Sequence, residues 1–193
     1  VLEQRLKRAE AQKFIQNVFD QLASLGKVQR VVDLLQHLRN DIADVAVAGY
    51  ELPPGMSYSE MELFVMNGYI EMDGQKHGPG TYVCLPAGVS LPAMKMPRGI
   101  TALMFYNYGE PSFVESDADH ALAERDKLIR VNAYDDLQWS STNFFPATAP
   151  GCMVKILKFD ERTQAFTFMY CMTPNFWQDN ISYHDCAEEA YHI

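Results

Sequence analysis

From residue 44 onward, the chain is divided into short apolar runs by turns that contain glycine or proline. The runs occupy residues 45–52, 62–65, 69–72, 81–85 and 100–108. Their length and their content of β-branched and aromatic residues favour strands over helices. Asp73-Gly74 separates two of them, and this pair favours a two-residue hairpin because both turn positions need a positive φ. The pattern predicts an antiparallel β sandwich or barrel.

The strand pattern returns after Pro150-Gly151. We expect further strands at residues 153–159, 165–171, 181–184 and 188–193. The segment 115–149 between the two β regions is polar and acidic, with a candidate short helix at 118–129. It is interpreted as a connector between two β units.

The first 43 residues have a different period. Apolar residues recur at helical spacing from Leu2 to Leu25 and again from Val28 to Leu38, with Gly26 as a stop signal between them. This predicts an N-terminal α-helical hairpin, which would pack on the β domain or on a second subunit.

Charge and composition exclude several kinds of partner. The net charge is −9 and the isoelectric point is about 4.9, which argues against nucleic-acid binding and against an anionic membrane surface. The sequence contains neither an apolar run of about 18 residues, as a membrane span needs, nor a signal peptide. The four cysteines form no C-x-x-C pair and are predicted to be reduced thiols of a cytoplasmic protein. Because the sequence begins at Val1 and stops within a predicted strand, we expect a fragment of a longer protein.

Two segments resemble motifs of the cupin family. Gly80-Thr-Tyr-Val-Cys-Leu-Pro86-Ala-Gly88 matches the glycine and proline positions of G-x5-P-x-G-x2-H, with Leu91 at the histidine position. Met61 to Gly68 is similar to the end of the other motif, with Met61 at the position of the metal-binding glutamate. The resemblance implies an antiparallel cupin (jelly-roll) β-barrel over 44–114 that has lost its metal ligands. No metal is expected in this first repeat, and its interior is predicted to be packed with apolar side chains or to hold an apolar ligand. Glu60 and Glu62 flank Met61, but strand alternation places them on the opposite face unless a bulge intervenes.

A second copy of the first motif begins near residue 182. His184 stands at its second histidine position and Glu188, four residues later, at its glutamate position, whereas Ser182 replaces the first histidine. The arrangement is similar to two-repeat cupins related to the zinc-binding anti-sigma cupin and to cupin dioxygenases. The resemblance implies a divalent metal (Fe, Zn, Mn or Ni) held by His184 and Glu188. The alternative is a surface histidine paired with a nearby glutamate.

The resulting domain prediction has four parts. These are an N-terminal helical segment at 1–43, a first cupin repeat at 44–114, a connector at 115–149 and the start of a second cupin repeat at 150–193. The resemblance implies a metal-dependent oxygenase or related small-molecule enzyme, with the site in the second repeat. A non-catalytic module for ligand sensing, regulation or dimerisation is the alternative. A homodimer is expected in either case.

Overall fold

The computed structural model describes residues 44–46, 48–141, 151–176 and 190–191, all within one unit that spans 42–193. The predicted helical hairpin falls on residues 1–43, outside this part of the chain. The strands are β1 (Asp44–Ala46), β2 (Tyr50–Leu52), β3 (Gly55–Met56), β4 (Glu60–Gly68), β5 (Ile70–Met72), β6 (Gln75–His77), β7 (Thr81–Leu85), β8 (Met94–Met96), β9 (Ile100–Asn107), β10 (Val114–Glu115), β11 (Ile129–Asn132), β12 (Ser140–Ser141), β13 (Cys152–Phe159) and β14 (Phe166–Met172). Across the described ranges, helix is limited to a single 3-10 turn, Arg125–Lys127, and no helix there is long and apolar enough to cross a membrane.

All strand pairs are antiparallel. The central sheet has the order β1-β9-β4-β7-β11, and a covering sheet has the order β2-β8-β5-β6. Strands β12-β13-β14 form a third sheet, and β10 pairs with β3 in a short ribbon. The chain passes from β4 into β5 at Gly68, which has a φ of +78° and where a Cβ would collide with the carbonyl of Gly99. Glycine at this corner lets one continuous segment serve both the central and the covering sheet.

An apolar core, here called the inner core, fills the space between the central and covering sheets. Alternate residues of β4 (Met61, Leu63 and Val65) meet Ile70 and Met72 of the covering sheet there. The remaining buried members are Val83, Leu85, Val89, Leu91, Met94, Met96, Ile100 and Ala102. Met61 and Leu91, which stand at the cupin glutamate and histidine positions, therefore both pack inside this core.

A second core, here called the outer core, lies on the opposite face of the central sheet. Its buried members are Phe64, Tyr82, Cys84, Leu103, Ala133 and Leu157, with Met169 of β14 packed against them. Leu157 belongs to β13, so the third sheet covers the outer core. The central sheet is thus buried on both faces, which explains why β4 reads Leu-Phe-Val-Met rather than alternating with polar residues.

The structure confirms a mainly β, antiparallel fold and corrects two details of the prediction. Asp73 and Gly74 both have positive φ, +54° and +71°, as a primed hairpin turn requires. The run 45–52 is two strands rather than one, because Gly49 turns the chain at a φ of +80° and sends β1 and β2 into different sheets. The described strands form open sheets and no closed barrel, since the covering strands are only three residues long and leave their edges unpaired.

Part of the expected connector belongs to the central sheet. Strand β11 pairs with β7 from Ile129↔Cys84 to Asn132↔Thr81. Before it, two hydrogen bonds of 2.5 Å join the Arg125 guanidinium to Asp119, and the Ser90 N–H donates to the same carboxylate at 2.8 Å. These bonds, that from Arg125 foremost, lower the pKa of Asp119 to about 2. The helix expected at 118–129 is reduced to the 3-10 turn because the polar side chains here bond across to the turn after β7.

Candidate functional site

A group of polar side chains, here called the buried polar cluster, interrupts the outer core. Its members are Glu60, Glu62, Tyr82, Cys84, Asn107 and Lys158. Pairing between strands brings them together: Glu62 lies opposite Cys84 across β4 and β7, and Glu60 lies opposite Asn107 across β4 and β9. Glu60 and Glu62 alternate with Met61 and Leu63, so their carboxylates face away from the inner core. Lys158 reaches them from β13 of the third sheet.

Hydrogen-bond donors surround the two carboxylates. The Tyr82 hydroxyl donates to Glu62 Oε2 at 2.7 Å. The Asn107 amide nitrogen donates to Glu62 Oε1 at 2.6 Å and to Glu60 Oε1 at 2.9 Å. Lys158 Nζ makes a close ion pair with Glu60 and lies 3.4 Å from Glu62 Oε1. The side chain of Glu62 is only 4% exposed and that of Lys158 10%, so these partners replace most of the solvent around the charges.

Burial and neighbouring charges set the protonation of the cluster. Burial, assisted by the negative charge of Glu60, raises the pKa of the Cys84 thiol to about 12. Burial and then the charge of Glu62 also raise the pKa of the Tyr82 hydroxyl above its ordinary value. For Lys158, burial opposes the charged form, but the hydrogen bond to Glu60 and the nearby negative groups outweigh it, so that its pKa is raised. Near neutral pH the cluster therefore contains an ammonium group, a neutral thiol and a neutral phenol.

The cluster resembles a metal site only in the types of side chain that it contains. Ligand atoms of Glu60, Glu62 and Cys84 all lie within 4.8 Å of one another, and two carboxylates with a thiolate suit Zn²⁺ or Fe²⁺. The Lys158 ammonium, however, already bonds to these carboxylates, and Cys84 retains its proton. The residues do not fit a resident metal ion while Lys158 is in place.

The site residues predicted from the sequence, His184 and Glu188, fall outside the described residues. Among the described histidines, His77 ends strand β6 and is half-buried. Its Nε2 atom is buried without a hydrogen-bond partner. With Lys76 and Arg130 it lines a shallow cleft of about 260 Å³, which the predicted function does not use.

The sequence indicates two members of the cluster but not the cluster itself. No bulge turns Glu60 or Glu62 inward, since the irregularity in the described β4–β9 pairing lies beyond both, between Val65 and Asn67. The available signal was a glutamate within a strand that is apolar on both faces, because such a residue requires a buried partner. Lys158 is 96 residues away from Glu62, and nothing local in the sequence identifies it as that partner.

The facing antiparallel sheets with the inner core between them define a cupin-like fold. Residues 45–193 match the family model described as Domain of unknown function (DUF4437), and the chain belongs to this family. The chain is also similar to a crystal structure of a protein from Nostoc punctiforme PCC 73102 that is provisionally described as a dioxygenase, with a TM-score of 0.62 and 21% sequence identity. The match covers 69% of this chain and 47% of that one, so the chain spans about half the length of that protein. At this identity the likeness shows the fold alone. No curated protein matches the chain.

Proposed function

We propose that this chain belongs to a two-repeat cupin protein that, in its intact form, is a metal-dependent oxygenase acting on a small molecule. In this proposal the first repeat is a structural jelly roll, and the metal is held in the second repeat by His184 and Glu188. The observation that carries the proposal is the similarity of fold to the Nostoc protein provisionally described as a dioxygenase.

The packing of the first repeat supports a site in the second. Met61 is 8% exposed and Leu91 is 5% exposed, and both are surrounded by apolar side chains. Neither side chain is an effective metal ligand, and the other buried members of the inner core among the described residues are apolar as well. In the buried polar cluster, the carboxylates pair with Lys158 rather than with a metal ion. The His184-x3-Glu188 pair is thus the candidate ligand set of this sequence that matches the cupin pattern.

Imidazole and carboxylate ligands suit iron, manganese, zinc or nickel, and the geometry of the complete site would select among them. Bound there, such a metal would supply a centre at which a small substrate and oxygen can meet. Under this proposal the roles of the chain's own residues are to bind the metal at His184 and Glu188 and, in the first repeat, to provide a rigid apolar base.

Metal analysis of the intact protein tests the proposal. We expect close to one bound metal ion per chain, with loss of most of it in both His184→Ala and Glu188→Ala, because each substitution removes a ligand. His120→Ala is the matched control, since His120 is an exposed histidine in a turn and its removal should leave the metal content unchanged. A protein without metal, or with the same metal content in both ligand variants, would contradict the assignment.

The second candidate is a non-catalytic module that senses a small molecule, regulates or dimerises. The observation in its favour is the apolar filling of the predicted first repeat, together with Ser182 at a ligand position. A metal-free homodimer in analytical ultracentrifugation would favour this candidate, and a metal-loaded monomer would argue against it.

A further inference from the structure

We infer that the buried polar cluster is a built-in binding site for the Lys158 ammonium, and not a metal centre. The Glu60 and Glu62 carboxylates on the central sheet would bind the ammonium group, and Lys158 on the third sheet would supply it. The inference is separate from the proposed metal site, because it concerns Cys84 and Lys158 rather than His184 and Glu188.

The direction of the hydrogen bonds is the first argument. Tyr82 Oη, Asn107 Nδ2 and Lys158 Nζ all donate to the carboxylate oxygens, at 2.7 Å for Tyr82 and at 2.6 and 2.9 Å for Asn107. A metal ion bound to the Oε1 atoms of Glu60 and Glu62 would have to displace the Lys158 ammonium, which already contacts both.

The protonation of Cys84 is the second argument. A thiol ligates Zn²⁺ or Fe²⁺ as a thiolate, yet Cys84 is 1% exposed and burial beside Glu60 favours its protonated form. Metal binding would have to release this proton and displace the ammonium at once. The lysine requires neither change, since it is already positively charged.

The same strand carries another lysine, which is more deeply buried and has different partners. Lys155 is 4% exposed, donates to the carbonyl oxygens of Ala133 and Tyr134 at 2.6 and 3.2 Å, and lies 5.0 Å from the Trp139 ring centre. It contacts no carboxylate of the cluster. Substitution of Lys155 therefore shows the effect of losing a lysine from this strand. Substitution of Lys158 shows, in addition, the effect of leaving the two carboxylates without their cation.

Cobalt(II) titration tests the inference, because a cysteine thiolate bound to Co²⁺ gives a ligand-to-metal charge-transfer band in the near ultraviolet. The full chain and its Cys84→Ser variant are titrated with Co²⁺ alone, and the band that depends on Cys84 is taken as the difference. We expect no such difference in the unsubstituted protein. In Lys158→Met, where the carboxylates have lost their cation, we expect the band to appear and to be lost again in Lys158→Met/Cys84→Ser. Lys155→Met should resemble the unsubstituted protein.

A Cys84-dependent band in the unsubstituted protein would overturn the inference, and that comparison holds even if Lys158→Met fails to fold. A folded Lys158→Met protein that takes up no more Co²⁺ than the unsubstituted protein would also overturn it, since a site built for a cation should then accept one. A metal bound at the proposed second-repeat site is distinguished because it depends on His184 and is indifferent to Cys84→Ser. Failure of one assignment therefore leaves the other intact.

Discussion

At the scale of single residues, the central question is how a strand with both faces buried accommodates Glu62. The answer is complete hydrogen bonding: one carboxylate oxygen accepts from Tyr82, and the other accepts from Asn107 and faces Lys158. An unpaired carboxylate at this position would be strongly unfavourable. The groups that bond to Glu62 are all donors, and the neutral forms of Cys84 and Tyr82 limit the negative charge that Glu60 already brings close to it.

The Cys84 thiol makes the free energy of unfolding depend on alkaline pH. Its pKa is raised by burial from an ordinary 9.0 to about 12 in the folded protein. Between these values the unfolded chain loses the thiol proton while the folded chain keeps it. This contribution to stability is complete below pH 9 and is lost as the pH rises towards 12. Urea unfolding at pH 8 to 11 should therefore show a decline that is shallower in Cys84→Ala. Equal slopes in the two proteins would contradict the prediction.

At the scale of strands, β13 contributes two buried lysines, one at the carboxylates and one at the carbonyl oxygens of Ala133 and Tyr134. Between them, Leu157 enters the outer core, and the pairing with β14 shifts register between Ile156 and Lys158. The shift is what allows both Leu157 and Lys158 to face the central sheet. Strand β13 is thus held by the packing of Leu157 in the outer core and by the hydrogen bonds of Lys155 and Lys158.

The two lysines should differ in their contribution to stability. Lys158→Met leaves buried carboxylates without a cation and is expected to lower the free energy of unfolding by about 3–5 kcal/mol. Lys155→Met leaves neutral carbonyl oxygens and should cost about 1–3 kcal/mol. Urea unfolding at neutral pH measures both values.

Removal of the two negative charges provides the control for this comparison. In a Glu60→Gln/Glu62→Gln background there is no charge for Lys158 to neutralise, so the deficit of Lys158→Met should shrink while that of Lys155→Met stays constant. If both deficits change in the same way, the difference assigned to the carboxylates is wrong.

The strands themselves were largely predictable, because their signals are local. The apolar runs that became β4, β5, β7, β9, β13 and β14 are bounded by glycine, proline or aspartate turns that fix their ends. The division of β1 from β2 was missed because Gly49 is one residue within an otherwise continuous run. The cluster could not be predicted as a unit, since its members come from four strands and Lys158 is 98 residues from Glu60. Pairing at that distance is decided by tertiary packing, which local pattern does not encode.

At the scale of the whole molecule, the central sheet is shared by two cores. Leu63 and Val65 of β4 face the inner core, and Phe64 between them faces the outer core. A disturbance on one face therefore reaches the other through the same backbone. The covering sheet and the third sheet each depend on the central sheet for burial of their apolar side.

This sharing predicts one cooperative unfolding transition. Leu63→Ala, in the inner core at a site that is 3% exposed, should cost about 2–5 kcal/mol. In a Trp177→Phe background, the fluorescence of Trp139, which lies beside Lys155, reports on the outer side of the central sheet. Its midpoint in urea should move as far as the midpoint from far-ultraviolet circular dichroism. A fluorescence midpoint that stays in place would show that the two sides unfold separately.

The origin of Lys158 in a later part of the chain has a consequence for synthesis on the ribosome. Glu60 and Glu62 are translated 98 and 96 residues before Lys158, an interval of about 5–20 s at ordinary elongation rates. Until Lys158 is made, the face that becomes the outer core has no lysine and no third sheet to cover it. We expect the two carboxylates then to lie in water on an otherwise apolar surface, where charge opposes association with other nascent chains. The same pair that later binds the lysine is therefore expected to limit aggregation of the unfinished protein.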